Sequence, residues 1–277
     1  MAKKSNIIKI TGIFFVAICL LVAVAPIYWM FNTSFKSQSE IYQKIPTFFP
    51  KDFSLDSYEF LFTKTSFLRS LLNSFIVAFS TSFFSIAVAF PVAYAVSRID
   101  FIGRKFLSKG ILITYLIPTA VLYIPLFMTV SNFNLTDTLA GLILIYPSFA
   151  VPYVSWMLIP HIKAVPHDIE DAARIDGCSR LKTMYVIIFP LMLPGIVSTF
   201  IFAFSMCWGE YLYALVNINS TKMKTFPLII SGLIYGDIYP WGQIMAGGIV
   251  ACIPILIVYM LASKMLVGGS VSGGVKQ

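Results

Sequence analysis

Charge is scarce in this chain. Asp, Glu, Lys and Arg make up 12% of its 277 residues, against 58% hydrophobic residues, where soluble domains carry roughly a quarter charged. That scarcity argues against an ordinary water-soluble fold. Histidine is rarer still, represented only by His161 and His167. No HExxH pair and no GxSxG elbow is present, so zinc-hydrolase and serine-hydrolase chemistries lack their parts. The four cysteines are Cys19, Cys207 and Cys252 inside apolar runs and Cys178 in a charged loop. Without CxxC spacing they indicate neither a disulfide framework nor a zinc site. A phosphate-binding loop is missing too: GCSRLKT holds a Lys-Thr pair, but it lacks the second glycine before the lysine and follows a helical pattern instead of a strand. Asp237, in YGDIYP, has no second intramembrane aspartate to pair with and reads as an outer-loop residue.

What the sequence has in abundance is apolar runs, each at or above the roughly 18 to 20 residues that a spanning helix needs. Six spans can be drawn, about Ile7 to Phe31, Leu71 to Ser97, Leu107 to Val130, Leu139 to Pro160, Tyr185 to Trp208 and Trp241 to Val267. All are expected to be helical, because an unclosed sheet would leave backbone amides unpaired in lipid. The first run is too long for a signal h-region and no small-x-small cleavage site follows it, so it reads as a retained helix. The net charge of +8 does not indicate nucleic acid, because the basic residues sit at the ends of apolar runs and not along one face. With both termini cytoplasmic, 13 of the 20 Lys and Arg residues fall inside, including Lys3, Lys4, Lys9, Lys264 and Lys276, and 7 fall outside. The short loop RIDFIGRKFLSK weighs most in that assignment.

The stretch EDAARIDGCSRLKTMYVIIFPLMLP, Glu170 to Pro194, then lies in the cytoplasm between the fourth and fifth spans. Pro166 bars the preceding helix from continuing. Asp168 is placed to cap a new one with Asp171 as an imperfect capping-box partner, and Asp168, Glu170 and Asp171 put negative charge where the helix dipole favours it. Gly177 is the expected left-handed stop, and Ser179 can cap the next helix. Three- and four-residue spacing puts Ile169, Ala172, Ala173 and Asp176 on one face, with Glu170, Asp171 and Arg174 around the other sides. The alanine pair suits close approach to another protein's groove, whereas composition alone would also suit a connector lying on the membrane.

In its residue order this stretch resembles the EAA loop of inner-membrane permease subunits of binding-protein-dependent ABC importers, in which EAA is followed by a glycine and then by I-x-L-P. Asp171, Ala172 and Ala173 stand for EAA, Gly177 for the glycine and IIFPLMLPG for the end of the pattern. NTSFKSQSEI, WGEYLYAL, FPLIISGL and the C-terminal WGQIMAGGIVACIPILIVYMLASKMLVGGSVSGGVKQ are similar to the same family, especially its carbohydrate-uptake, MalG-like branch. Two departures stand out: aspartate at 171 for glutamate, and Lys264 where that branch usually has glutamine.

The resemblance implies a single all-α transmembrane permease domain over 1–277, of type I importer architecture, with an EAA coupling loop over 161–184. It implies a non-catalytic subunit of an ATP-driven importer, in a bacterial-type cytoplasmic membrane, moving a sugar or oligosaccharide by alternating access. Its implied partners are a second permease subunit, two copies of a cytoplasmic ATPase that bind ATP and magnesium, and an extracytoplasmic solute-binding protein. Neither cofactor nor metal is implied for this chain. Glu170, Asp171, Ala172, Ala173, Arg174, Asp176, Gly177 and Ser179 are the candidate coupling residues. Candidate pathway groups, chosen for hydrogen bonding or stacking with sugar, are Asn73, Ser74, Tyr115, Tyr123, Ser155 and Trp156. The alternatives are an ion-coupled secondary transporter, which would want ionisable groups at mid-bilayer, and a permease for another solute such as a glycerol-phosphate-type compound.

Overall fold

The computed structural model describes residues 2–272, with side chains described for 12–263. The side chains of Lys3, Lys4, Lys9, Lys264 and Lys276, and of the Gly-rich tail, lie outside the described residues. The chain forms two compact units, one running to Phe67 and including Ile229–Ile253, the other made of Leu68–Leu228 and the chain from Pro254 on.

The first unit begins with α1 (Ala2–Ser34), whose most apolar window has no residue buried inside the chain. A helix apolar all round and unburied by its own chain has lipid as its solvent. Beyond it lie α2 (Gln38–Ile41) and α3 (Asp56–Lys64). Phe35 stacks on Phe53 with centroids 4.8 Å apart, and the Tyr58 hydroxyl meets Ser34 Oγ at 2.8 Å. The Thr47 hydroxyl, with the Lys51 backbone amide, hydrogen-bonds the buried Glu40 and holds its carboxyl below the usual carboxylate range. Lys36 donates to the Thr47 carbonyl and sits 5.1 Å over the Trp29 ring.

In the second unit the long helix α4 (Phe67–Arg98) packs through small residues. Ala78, Ser82, Ser85, Ala89 and Ala93 recur at three- and four-residue spacing and are fully buried, while Phe79, Phe83, Phe84 and Val88 are exposed. Small side chains let neighbouring backbones approach closely, which is how helices associate in lipid, where no hydrophobic gradient drives them together. The chain continues through α5 (Arg104–Leu116), a 3-10 turn (Thr119–Leu122), α6 (Tyr123–Asn132), α7 (Leu139–Ile145), α8 (Pro147–Ala164) and α9 (His167–Ile175). Then come α10 (Arg180–Lys182), a π-helical turn (Thr183–Ile188), α11 (Phe189–Leu191), α12 (Leu193–Trp208), α13 (Leu212–Asn217), α14 (Phe226–Ser231) and α15 (Trp241–Ser272). Two apolar clusters result. One gathers Tyr146, Phe204, Trp208 and Tyr213, the other Phe90, Leu158, Ile162 and Ile188.

Gly12–Ser34, Phe67–Arg98 and Trp241–Ser263 are long and apolar enough to cross a bilayer unbroken. The runs Leu107–Val130, Leu139–Pro160 and Tyr185–Trp208, read from hydropathy as continuous, are instead bent pairs. The bends are 92° after Leu116, 44° after Ile145 and 77° after Leu191, and the total is six if each pair is one span. Each break lies at or beside a proline, Pro118, Pro147 or Pro194, which removes an amide donor. Pro118 also keeps the residue before it out of the helical region, with Ile117 extended at φ −65° and ψ 127°, whereas Tyr146 before Pro147 keeps helical dihedrals.

The corner between α6 and α7 turns through Asn134 and Asp137 at φ 55° and 58°. Thr138 caps α7, accepting from the Gly141 amide at 3.1 Å and donating to the Leu135 carbonyl at 2.7 Å. Asp137 Oδ1 accepts from the amides of Asn219 and Ser220 at 2.9 and 2.8 Å. The Ser220 amide, followed by that of Asn219, holds the Asp137 carboxyl below its ordinary range.

A β-carbon at Gly141 would overlap the Leu135 carbonyl oxygen and lie 3.0 Å from buried Val130 Cγ1. Backbone cannot rotate away, so Gly141→Ala is expected to cost roughly 1 to 3 kcal/mol and to lower the thermal midpoint of the detergent-solubilised protein. An unchanged midpoint would mean the corner relaxes freely.

Candidate functional site

Val165 is extended and α8 ends before it. Pro166 occupies the N-cap of α9 without a side-chain cap bond, so Asp168 lies in the first turn and not at the cap as its sequence context suggested. The reason is steric, since Pro166 already supplies the break and the next residue starts the helix. At the other end, the Cys178 amide bonds the Ala173 carbonyl at 2.9 Å and the Gly177 amide the Arg174 carbonyl at 3.0 Å, with Gly177 at φ +79°. This paired arrangement satisfies the last carbonyls of the helix and needs a left-handed residue at 177. Ser179 Oγ then accepts from the Lys182 amide at 3.3 Å and starts α10.

The helix is rolled differently from the periodicity argument. Glu170 and Ala173 are buried, while Asp171, Ala172, Arg174, Ile175, Asp176 and Gly177 are exposed. The two alanines therefore do not share a face, and Glu170 is an inward residue. A buried charge contact sets that roll. Arg98 Nε lies 2.7 Å from Glu170 Oε1, and both side chains are 2% exposed. Tyr94 donates to Glu170 Oε2 at 2.9 Å. The rest of the guanidinium donates to the Ile162 carbonyl at 2.7 Å, to the Val165 carbonyl and to His167 Nε2 at 2.8 Å. Arginine has only donors, so His167 Nε2 is the acceptor. One side chain at the end of α4 thus satisfies the open carbonyls of α8 and the carboxylate of α9. Asp171 makes only an exposed contact to Arg174 at 3.1 Å, a type worth little.

Two of the polar residues expected along a pathway, Asn73 and Ser74, have hydrogen-bond partners within the chain. Asn73 Nδ2 donates to the Lys222 and Lys224 carbonyls at 3.0 and 2.9 Å, and Ser74 Oγ accepts from the Phe226 amide at 2.9 Å. Both are buried and hold the 222–226 segment through its backbone. Ser155 is buried on α8. Tyr123 packs edge-on against Tyr213 at 4.7 Å. Tyr115 and Trp156 form an exposed stacked pair, 6.0 Å apart and 6° from parallel. Sequence reasoning missed Arg98, which entered only as a topology charge, and Glu210, which accepts from the Tyr146 hydroxyl at 2.7 Å and the Tyr213 amide at 2.8 Å. The one available signal for Arg98 was its position as the last residue of an otherwise uncharged apolar run.

The described residues form helices long and apolar enough for a membrane, with a short amphipathic helix held on one end of the second unit. Residues 64–269 match the family of the binding-protein-dependent transport system inner membrane component, and the chain belongs to it. The diacetylchitobiose uptake system permease protein DasC of Streptomyces coelicolor is 31% identical over 255 residues, covering 91% of this chain and 92% of that protein. The trehalose/maltose transport system permease protein MalG of Thermococcus litoralis is 30% identical over 282 residues, covering 99% and 97%. Among solved structures, a bacterial ABC transporter involved in the import of the acidic polysaccharide alginate contains a chain that matches with a TM-score of 0.73 at 22% identity, covering 94% of this chain and 97% of that one. The chain is a multi-pass permease subunit of the inner membrane and not an enzyme, with ATP hydrolysis left to a partner ATPase. Membership in this family sets aside the ion-coupled secondary transporter.

Two outcomes follow for this site. Glu170→Gln leaves a buried guanidinium without its counter-charge, at roughly 3 to 5 kcal/mol, so the protein is expected to insert but to lose uptake and gain protease sensitivity between 165 and 180. Wild-type protection would show that α9 does not depend on the pair. At Gly177 an added β-carbon meets nothing within 4 Å, so only backbone strain of roughly 1 to 2 kcal/mol applies. Gly177→Asn, which tolerates the left-handed region, is therefore expected to keep more uptake than Gly177→Val. The reverse order in a transport assay would contradict the helix-stop role.

Proposed function

We propose that this chain is the sugar- or oligosaccharide-translocating permease subunit of an ATP-driven importer, in which α9 couples nucleotide-driven motion to the membrane helices. The observation that carries this reading is the division of α9 into two faces. Arg98 and Tyr94 clamp Glu170 on one side, while Asp171, Ala172, Ile175 and Asp176 remain exposed on the other, with Ile175 at 86% exposure. An exposed isoleucine beside alanine on a rigidly held helix suits insertion into a groove of another subunit. The names of the relatives, for diacetylchitobiose and for trehalose and maltose, support a carbohydrate substrate.

In the assembled importer a second permease subunit completes the pathway, two copies of a cytoplasmic ATPase bind ATP and magnesium, and an extracytoplasmic solute-binding protein delivers the sugar. Both termini and α9 face the cytoplasm of a bacterial-type cell membrane. That orientation agrees with the clustering of Arg98, Arg104, Lys105, Lys109 and Lys163 at the α9 end of the bundle. When the ATPases close, α9 moves as a rigid body and carries α8 and α10–α12, between which it is strung. Asp171, Ala172, Ile175 and Asp176 make the contact, Gly177 and Ser179 terminate and restart the helix, and Glu170 and Ala173 tie it to the bundle. The exposed Tyr115 and Trp156 remain the stacking candidates for sugar.

Cysteine at Ala172 or Ile175, in a chain whose Cys19, Cys178, Cys207 and Cys252 have been replaced, is expected to crosslink to the ATPase in a nucleotide-dependent manner, and cysteine at Ala173 is not. In vesicles carrying the whole assembly, sugar uptake should require internal ATP and survive collapse of the proton gradient. A crosslink from 173 in place of 172, or uptake without ATP, would defeat the reading.

A further inference from the structure

The same end of the second unit holds a cleft of about 790 Å³ that α9 does not line, walled by the last turns of α4 and α8 and the first turns of α5. Its charges do not cancel. Arg104 is engaged, donating to the Val96 and Ser97 carbonyls at 2.7 and 3.0 Å and pairing with Asp100. Lys105, Lys109 and Lys163 also line the cleft and are exposed. The ion pairs among the described residues involve Arg98, Arg104 and Arg174, so no carboxylate is paired with these three ammonium groups. The first turn of α5 also contains no acidic residue.

The cleft is bordered by apolar side chains with no cover. Phe106, a lining residue, is 83% exposed, and Ile102 in the adjoining turn is wholly exposed. Phe106, Ile113 and Leu116 share an exposed stripe of α5 with Lys109. A small anion would use the lysines and leave that stripe bare. An acidic segment of a soluble partner would leave it bare as well, because the stripe runs up a helix that belongs to a membrane span. A molecule with a negative head and long apolar chains uses both.

We propose that this cleft is a binding site for an anionic phospholipid, its phosphodiester held among Lys105, Lys109 and Lys163 and its acyl chains laid along Phe106, Ile113 and Leu116. Basic pockets between membrane helices favour anionic headgroups in this way, and the long lysine stems reach the headgroup level while their methylenes stay on apolar surface. The site is separate from the surface assigned to ATPase contact, and its test does not read transport, so it stands or falls independently of the importer reading.

The experiment is native mass spectrometry of the purified assembly titrated with phosphatidylglycerol or phosphatidylcholine. Phosphatidylglycerol is expected to be retained at least about tenfold more strongly, a preference that Lys105→Gln with Lys109→Gln and Lys163→Gln removes and that arginine at the same three positions keeps. A photo-crosslinking residue at Phe106, with all lysines intact, should capture phosphatidylglycerol, which covers the case of a glutamine variant that does not fold. Equal retention of the two lipids, or undiminished retention by a folded glutamine variant, overturns the proposal. Displacement of the lipid by inorganic phosphate would reassign the lysines to a free anion, and capture of the ATPase polypeptide at Phe106 would reassign the cleft to a protein contact. Either result also overturns it.

Discussion

Placing a guanidinium and a carboxylate 2.7 Å apart with both side chains 2% exposed removes two ions from water, and their attraction alone need not offset that cost. At Arg98 and Glu170 other atoms of both groups also make hydrogen bonds. The carboxylate takes the Tyr94 hydroxyl, and the guanidinium takes two carbonyls at the end of α8 and His167 at the start of α9. The pair therefore does more than bring two helices together. It decides which side of α9 faces the bundle, and with it which residues are left for another subunit. A nonpolar contact of equal area would allow the short helix to roll, whereas a charge contact flanked by the directional hydrogen bonds of Tyr94 and His167 does not.

The rest of the second unit follows from lipid as solvent. Helices that gain nothing from hiding apolar surface must approach closely, and α4 does so through its row of Ala and Ser. Where the chain leaves helical geometry, its backbone groups are taken up by side chains: Asn73 for the Lys222 and Lys224 carbonyls, Ser74 for the Phe226 amide, Asp137 for the Asn219 and Ser220 amides, Glu210 for the start of α13. Asn73 and Ser74, two polar residues that look available for a sugar, thus hold a loop. In the proposed importer the exposed aromatic pair Tyr115 and Trp156 is the stacking candidate for sugar.

An anchored helix also explains how a small displacement can be transmitted. Because α9 joins α8 to α10 through stops at both ends, the Pro166 break and the Gly177 turn, it has little freedom to absorb a push by unwinding. In the proposed importer a movement of α9 therefore reaches α8 directly through the chain and α4 through Arg98. The bends beside Pro118, Pro147 and Pro194 divide the spans into segments that can tilt separately, which suits alternating access better than six straight rods.

Local information accounts for what was legible beforehand. Hydropathy placed the helices, the end charges suggested an orientation, and the order Asp171, Ala172, Ala173, Gly177 with Ser179 marked a helix, its stop and the next start, because each depends on residues within about one turn of one another. The proline bends were in the same sense readable, though apolar periodicity alone passed over them. The roll of α9 was not. Glu170 and Ala173 turn inward because Arg98, some seventy positions earlier in the chain, waits at the end of another helix, and Asn73 and Ser74 turn out to be loop clasps because residues 222 to 226 return to meet them. Periodicity states which residues share a face but not which face meets the bundle. That choice belongs to contacts between distant segments, and only the folded chain makes it.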